Sequence, residues 1–270
     1  MKIMIIDGYN VLHRARFGFL KGEYNVVFNF FRAIKPIIET IQPNKVIMVL
    51  EGYPKARYEK YPQYKANRRA EPEDLEKQKE IEDFQRQKTI ILELLKFFPI
   101  EINYHPDYEC DDVISVLVQQ VYKDDFCTVV SNDTDFIQLF NVVNNFELYS
   151  PVKKEFAKKT DYDYVSWKAL VGDTSDNVDG VPRIGTKTAV KLLEGDFIQW
   201  LDSNPEAKVI YQRNLELIQF AAFDPKEIVI EKGKPNFELV KEKFQEFDFS
   251  SVVEENAWKK YLKAFENLEV

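Results

Sequence analysis

Three short apolar runs in this chain each end in an acid. Residues 2–7 close on Asp7, followed by Gly8. Residues 45–50 lead into Glu51-Gly52. Residues 126–130 lead through Ser131-Asn132 into Asp133 and Asp135. Between them lie stretches of helical period, such as residues 24–41 with Val27, Phe28, Phe30, Phe31, Ile34, Ile37, Ile38 and Ile41. Buried strands alternating with amphipathic helices call for an α/β fold around a central, mainly parallel sheet. In such sheets a site lies beyond the carboxyl ends of the strands, so each acid is a site candidate. Each also has a plainer use, because Asp7 can close a turn and one of Asp133 and Asp135 can cap a short helix over 136–140. Two strands ending in acid-Gly, and a second aspartate where one cap suffices, ask for a further reason.

Composition narrows the classes. At 270 residues, 45% hydrophobic and 14% aromatic, the chain has material for a sizeable core in one large domain or two small ones. No apolar run approaches the ~20 residues needed to span a bilayer, and the start of the chain is too quickly acidic for a secretory signal. The expectation is a cytoplasmic protein that makes no use of a membrane, with Cys110 and Cys127 reduced. A net charge of −8 argues against a general nucleic-acid binder, although local basic patches remain open.

Along the chain, residues 53–83 form a polar stretch with almost no aliphatic side chains, expected to be mobile without substrate and to run into an acidic, helix-prone part over 71–87. It interleaves Lys55, Arg57, Lys60, Lys65, Arg68 and Arg69 with Tyr53, Tyr58, Tyr61 and Tyr64. Cations reach phosphates and tyrosine rings offer faces to unpaired bases, whereas a solvated loop is the plain alternative. A helix is expected over 88–98, stopped by Pro99, then a strand over 100–104. Glu109, Asp111 and Asp112 follow, at and just inside the start of a helix, where the helix dipole favours acids in any case. Residues 142–149 read as an edge strand or hairpin arm. The tail beyond Pro225 mixes short strand-like and helical pieces.

The stretch Val171–Leu193, VGDTSDNVDGVPRIGTKTAVKLL, carries two devices side by side. Asp173 and Asp176, three apart, share a face if the turn is helical. Gly180-Val181-Pro182-Arg183-Ile184-Gly185 then reads as a tight hairpin between helices, offering backbone N–H groups and a helix N-terminus to a phosphate. Arg183, Lys187 and Lys191 add positive charge around it.

If the strand ends converge, Asp7, Glu51, Glu109, Asp111, Asp112, Asp133, Asp135, Asp173 and Asp176 meet in one pocket. They cannot all stay ionised without counter-ions. Mg²⁺ or Mn²⁺ suits all-oxygen ligands, and two such ions would serve phosphodiester hydrolysis. Two histidines, His13 and His105, disfavour a His- or Cys-rich zinc site. No Walker, dinucleotide-binding or serine-nucleophile motif occurs.

These motifs, in this order, resemble the flap endonuclease / 5′–3′ exonuclease family of the bacteriophage type, and the 5′-nuclease domain of bacterial DNA polymerase I. The match is most specific over residues 172–178 and 180–189. Supporting matches are Asp7-Gly8, residues 64–68, residues 109–112, Asp133-Thr134-Asp135 and Gln138-Leu139. The resemblance implies a PIN-like α/β domain with a helical arch insertion and a helix–hairpin–helix DNA-binding region. It divides the chain into a nuclease core over 1–160 with the arch at about 53–95, a DNA-binding region over 161–223, and a C-terminal segment over 224–270 packed on the core. It makes the nine acids direct or water-mediated ligands of two divalent metals, and makes Lys65, Arg68, Asp7 and Asp111 the catalytic set. It puts Tyr64 on a base and Tyr64, Lys65, Arg68, Arg69, Gly180, Val181, Arg183, Gly185, Lys187 and Lys191 against DNA, with K⁺ on the hairpin carbonyls.

The implied substrate is branched or nicked DNA with a free 5′ end, or an RNA–DNA primer. The implied setting is replication and repair beside a separate DNA polymerase, the nuclease itself a monomer, in a bacterial host's cytoplasm if phage-encoded. Two departures stand out. Glu51 occupies a position where the family usually has Asp, and Ser131-Asn132-Asp133 replaces the common Thr-Gly-Asp. Neither removes a charge. A haloacid-dehalogenase-like phosphatase needs a second acid where this chain has Tyr9, and a PIN ribonuclease would lack the 180–191 clamp. The remaining alternative is a branched-DNA binding protein with a degenerate nuclease site.

Overall fold

The structure, a computed structural model, describes residues 1–18, 22–68 and 74–269. Its strands are β1 (Lys2–Asp7), β2 (Lys45–Val49), β3 (Glu101–Tyr104), β4 (Phe126–Val130), β5 (Phe146–Ser150), β6 (Glu155–Phe156), β7 (Gly172–Asp173), β8 (Val178–Asp179) and β9 (Val229–Lys232). Seven of them make one sheet in the order β6-β5-β4-β1-β2-β3-β9. β1 to β5 run parallel, and β6 and β9 close the two edges antiparallel. The chain adds β2 and β3 on one side of β1, then crosses to add β4 and β5 on the other. The crevice created by that reversal opens at the carboxyl ends of β1 and β4, where Asp7 and Asp133 stand.

Side chains alternate across the sheet. Met4, Ile6, Val46 and Met48 face a layer formed by α1 (Gly8–Ala15), α2 (Asn25–Ile41), α4 (Leu75–Leu95) and the C-terminal helices α10 (Phe237–Glu246), α11 (Ser250–Val253) and α12 (Glu255–Lys263). Ile3, Ile5, Ile47 and Val49 face α5 (Cys110–Val116) and the 3₁₀ turns around Phe136 and Leu139. Phe30, Phe31, Phe98, Phe244 and Phe265 are fully buried in the first layer, each contributing roughly 1.5–3 kcal/mol. A third cluster joins α6 (Tyr164–Val171), α7 (Thr186–Glu194), α8 (Phe197–Ser203) and α9 (Pro205–Ile218).

Four features differ from expectation. The helix-prone stretch 71–87 and the helix expected over 88–98 are one continuous element that starts at Leu75, capped by Asp74, whose carboxylate accepts the Glu76 N–H at 2.9 Å. Its first half is charged and solvated, so apolar period does not show that it continues into the second. Residues 55–60 form a separate short helix, α3 (Lys55–Lys60), below it. β5 lies inside the sheet, with β6 as the true edge. The expected tight hairpin between helices is longer: β7 and β8 pair with each other between α6 and α7, enclosing the 3₁₀ turn Thr174–Asp176. Among the described residues no helix is long and apolar enough to cross a membrane.

Candidate active site

The acid-Gly pairs have a steric origin. A Cβ on Gly8 would stand 2.4 Å from the Val49 carbonyl oxygen, and one on Gly52 would stand 2.0 Å from that of His105. The chain can leave β1 and β2 only by passing this close to the neighbouring strand ends. That passage delivers Asp7 and Glu51 to a single cavity of about 590 Å³, also lined by Glu109, Asp111, Asp133, Asp135, Asp173 and Asp176. Eight of the nine expected acids therefore converge. Asp112 does not: its two oxygens accept from the Arg57 guanidinium at 2.8 Å, and Oδ1 also accepts the Ala221 N–H at 2.7 Å. It faces away from the cavity.

Most of these acids also act as caps. Asp7 Oδ1 accepts the Asn10 N–H at 2.9 Å while Oδ2 accepts the Ser131 hydroxyl at 2.6 Å. Asp133 Oδ1 accepts the Asp135 N–H at 2.9 Å, and Asp173 Oδ1 accepts the Ser175 N–H at 2.8 Å. Glu109 and Asp112 form a reciprocal capping box at the start of α5.

Cations from two segments answer the acids. Arg57 on α3 bridges Glu109 and Asp112; Lys65 reaches Glu109, and Arg68 reaches Asp176. Lys168, buried on α6, bridges Asp135 and Asp173. The 61–68 segment is also tied to the 174–177 turn through backbone groups. The Lys65 N–H donates to the Asp176 carbonyl at 2.9 Å, Arg68 Nε to the Ser175 carbonyl at 3.1 Å, and Asn177 Nδ2 to the Gln63 carbonyl at 2.7 Å. Lys65 itself adopts a left-handed φ of 50°.

These cations do not neutralise the pocket. Burial, with repulsion from Asp133 added, pushes Asp7 up to about 6, against the pull of its hydrogen bonds from Ser131 and Asn10. Burial and the neighbouring Glu109 push Glu51 up to about 7. Burial and Asp133 push Asp135 up to about 6 despite Lys168, and Asp111 rises well above its ordinary value through burial and its neighbours Asp7 and Asp133. Burial also acts on Glu109, but Lys65 and Arg57 overcome it and hold that carboxyl below its usual range.

Among the described residues no three acid, histidine or cysteine side chains stand as a ready-made metal cage. The donor set nevertheless fits a hard divalent cation: every donor is an oxygen, and the carboxyls held protonated by crowding are the ones such an ion would discharge.

Other expected residues fall differently. The Tyr64 ring is 4% exposed and packs with Tyr58, Val178 and Leu217, its hydroxyl donating to Glu109 at 2.9 Å. It is not placed to stack on a base. Arg69 lies outside the described residues. Gly180 packs against the end of α6, and the Val181 N–H donates to the Leu170 carbonyl at 2.8 Å, so that N–H is not free for a phosphate. Gly185 caps α7, whose first turn is exposed, and Arg183, Lys187 and Lys191 are exposed around it. Arg57 and Lys168 were missed as site residues. Arg57 stood in a charged run with nothing to mark it out. Lys168 lies in a short helix ahead of the 172–189 stretch and belongs to no motif of its own.

Residues 2–168 match the family model of the 5′–3′ exonuclease N-terminal, resolvase-like domain. The chain is 31% identical over 215 residues to DNA polymerase I of Streptococcus pneumoniae serotype 4, a match covering 71% of this chain and 24% of the relative. With DNA polymerase I of Caldicellulosiruptor bescii the identity is 33% over 216 residues, covering 72% and 24%. The chain thus spans about a quarter of the length of the curated relatives it matches. Among solved structures, the bacteriophage T5 5′-exonuclease with bound zinc superposes with a TM-score of 0.68 at 20% identity over 98% of both chains. The T5 D15 flap endonuclease in a pseudo-enzyme–product complex with DNA and metal ions gives 0.65 at 20% identity over 99% of both. Human GEN1 in complex with Holliday junction DNA gives 0.58 at 15% identity, over 98% of this chain and 71% of its own.

Proposed function

The chain belongs to the 5′–3′ exonuclease family, and from that premise we propose that it is a structure-specific 5′-nuclease. It hydrolyses phosphodiester bonds in branched or nicked DNA with a free 5′ end, and RNA–DNA primers are within its substrate class. It works in replication and repair, beside a DNA polymerase, as a cytoplasmic monomer. The observation that carries this reading is the single cavity where eight carboxylates from five separate chain segments meet two basic side chains, Lys65 and Arg68, on a segment that can reach a phosphate.

Two Mg²⁺ or Mn²⁺ ions held by Asp7, Glu51, Glu109, Asp111, Asp133, Asp135, Asp173 and Asp176 would supply Lewis acidity and a lowered water pKa. With all nine carboxyls of this region ionised, Asp112 included, the four cations Arg57, Lys65, Arg68 and Lys168 leave five negative charges, one more than two such ions would offset. The chain's own work is positional. Asp7 is held in a fixed orientation by Ser131 and Asn10. Lys65 and Arg68 turn from Glu109 and Asp176 to the scissile phosphate and stabilise its charge. Lys168 keeps Asp135 and Asp173 aimed inward. Arg183, Lys187, Lys191 and the amide groups at the start of α7 grip duplex backbone, with K⁺ on the neighbouring carbonyls. Glu51, one methylene longer than the usual aspartate, keeps the charge within reach.

A 5′-flap duplex labelled at either end, incubated with Mg²⁺ or with EDTA, tests the reading. Metal-dependent cleavage near the flap junction supports it, whereas tight binding without cleavage in Mg²⁺ or Mn²⁺ replaces it with a degenerate-site DNA-binding protein. Asp176→Asn should abolish or greatly slow cleavage while leaving DNA binding largely intact; full activity would remove Asp176 from the ligand set. Lys65→Ala should slow single-turnover cleavage more than it weakens binding, and an unchanged rate would take Lys65 out of the chemistry.

A further inference from the structure

With Tyr64 buried, a nucleotide entering the cavity must find its aromatic partners elsewhere. We infer that Tyr9 and Tyr53, on the rim of the acidic cavity, are base-stacking residues that hold the unpaired bases of the nucleotides next to the cleaved bond. The inference rests on the nuclease reading above and names two of its substrate contacts.

Both side chains line the same cavity as Asp7, Glu51 and Lys65. Tyr9 is 44% exposed and Tyr53 59%. Single exposed aromatic residues are ordinary on a protein surface. Two on the wall of a cavity lined mainly by charged and polar groups, with Tyr58 and Pro54 beside Tyr53, are different, because a ring exposed there gains little from folding. Both are also held in place. The Tyr9 ring rests on His13 with centroids 4.1 Å apart, and His13 in turn lies 4.9 Å from Phe84 of α4. The Tyr53 ring lies 4.9 Å from that of Tyr58, and its backbone N–H donates to the Pro106 carbonyl at 2.8 Å. A ring already fixed on one side loses little rotamer freedom when a base covers the other.

The geometry selects a ligand class. A phosphate drawn to Lys65 and Arg68 carries its sugars and bases outward, toward the rim. Every base has a π-face, so stacking there is indifferent to sequence. Bases inside a duplex are already stacked on their neighbours and cannot turn to a tyrosine. Tyr9 and Tyr53 would therefore favour nucleotides that are, or can become, unpaired.

The test pairs cleavage with a binding signal. Wild type, Tyr9→Ala, Tyr53→Ala, Tyr9→Phe and Tyr53→Phe are compared on a 5′-flap duplex carrying 2-aminopurine, or an abasic residue, on either side of the cleaved bond. Each alanine variant should cut about tenfold more slowly in single turnover, and each phenylalanine variant should retain the rate. The abasic substrate should slow wild type but slow the matching alanine variant no further. In EDTA, 2-aminopurine fluorescence should change on binding wild type and not the alanine variant. Melting temperatures should be unchanged, since both rings are exposed. Alanine variants with wild-type rates and fluorescence, or losses that add to the abasic loss, overturn the inference. A wild type that never cleaves sinks the nuclease reading instead, and the EDTA fluorescence then decides the stacking on its own.

Discussion

Arg57 is the residue on which the buried charges of the site depend most. It is one-eighth exposed and faces Glu109 and Asp112, which are buried almost completely. Removing it leaves two carboxylates without their guanidinium, and breaking a buried pair in this way costs about 3 kcal/mol. Arg57→Ala should lower the unfolding free energy measured in urea by that amount, and adding Asp112→Asn should recover part of it. A loss below about 1 kcal/mol would mean that water already reaches the pair. The acids themselves were legible from the sequence: eight of them line one cavity, and the plainer cap reading holds for several of the same side chains. At the end of a strand that runs into a helix, the cap position and the mouth of the site coincide, so Asp7, Asp133 and Asp173 each spend one oxygen on a backbone N–H while lining the cavity; the second oxygen of Asp7 meets the Ser131 hydroxyl and that of Asp173 meets Lys168. Arg57, Lys168 and the burial of Tyr64 were not legible. Each depends on which distant segment lands on it, and spacing along one segment carries no such information.

At the scale of elements, the parallel strands and α2 followed from period alone, because each buries a continuous apolar face. For α4 period gave only the second half; the first turns are charged and meet solvent, and were legible as helix-prone only from composition, not as one helix with the rest. The β7–β8 connection escaped notice because paired strands of two residues have no period. That connection leads into a strained position: Arg183 adopts a φ of 67°, where a side chain costs roughly 1–2 kcal/mol that glycine avoids. Arg183→Gly should therefore raise the unfolding free energy by about 1 kcal/mol. It should also weaken duplex binding and reduce the slope of log affinity against log salt by about one. Greater stability with unchanged DNA affinity would take Arg183 out of the interface.

For the whole molecule, crowding of like charge sets the response to pH. Asp7, Glu51 and Asp135 titrate at about 6, 7 and 6 when folded, and near 4 when unfolded. Between about pH 4 and pH 7 the folded chain keeps protons that the unfolded chain has released, so stability falls as pH rises through this window. Glu109 and Asp173, held below their ordinary values, act in the opposite sense and only at the acidic end. Melting in EDTA should occur several degrees lower at pH 7.5 than at pH 5. Mg²⁺ should restore more of the loss at pH 7.5, where it need not displace protons. A metal-free melting temperature that rises steadily from pH 5 to 7.5 would contradict the assignment. Binding to DNA by so acidic a chain depends on local patches, and it should weaken steeply with salt.

The tie between the 61–68 segment and the 174–177 turn has a practical consequence at the bench. The ammonium and guanidinium groups over the cavity are already engaged with carboxylates, so any anion in the buffer that wins them away competes with the substrate for the same groups. Sulfate, phosphate and citrate should inhibit more than chloride at equal ionic strength, and assays made in different buffers would then report different enzymes.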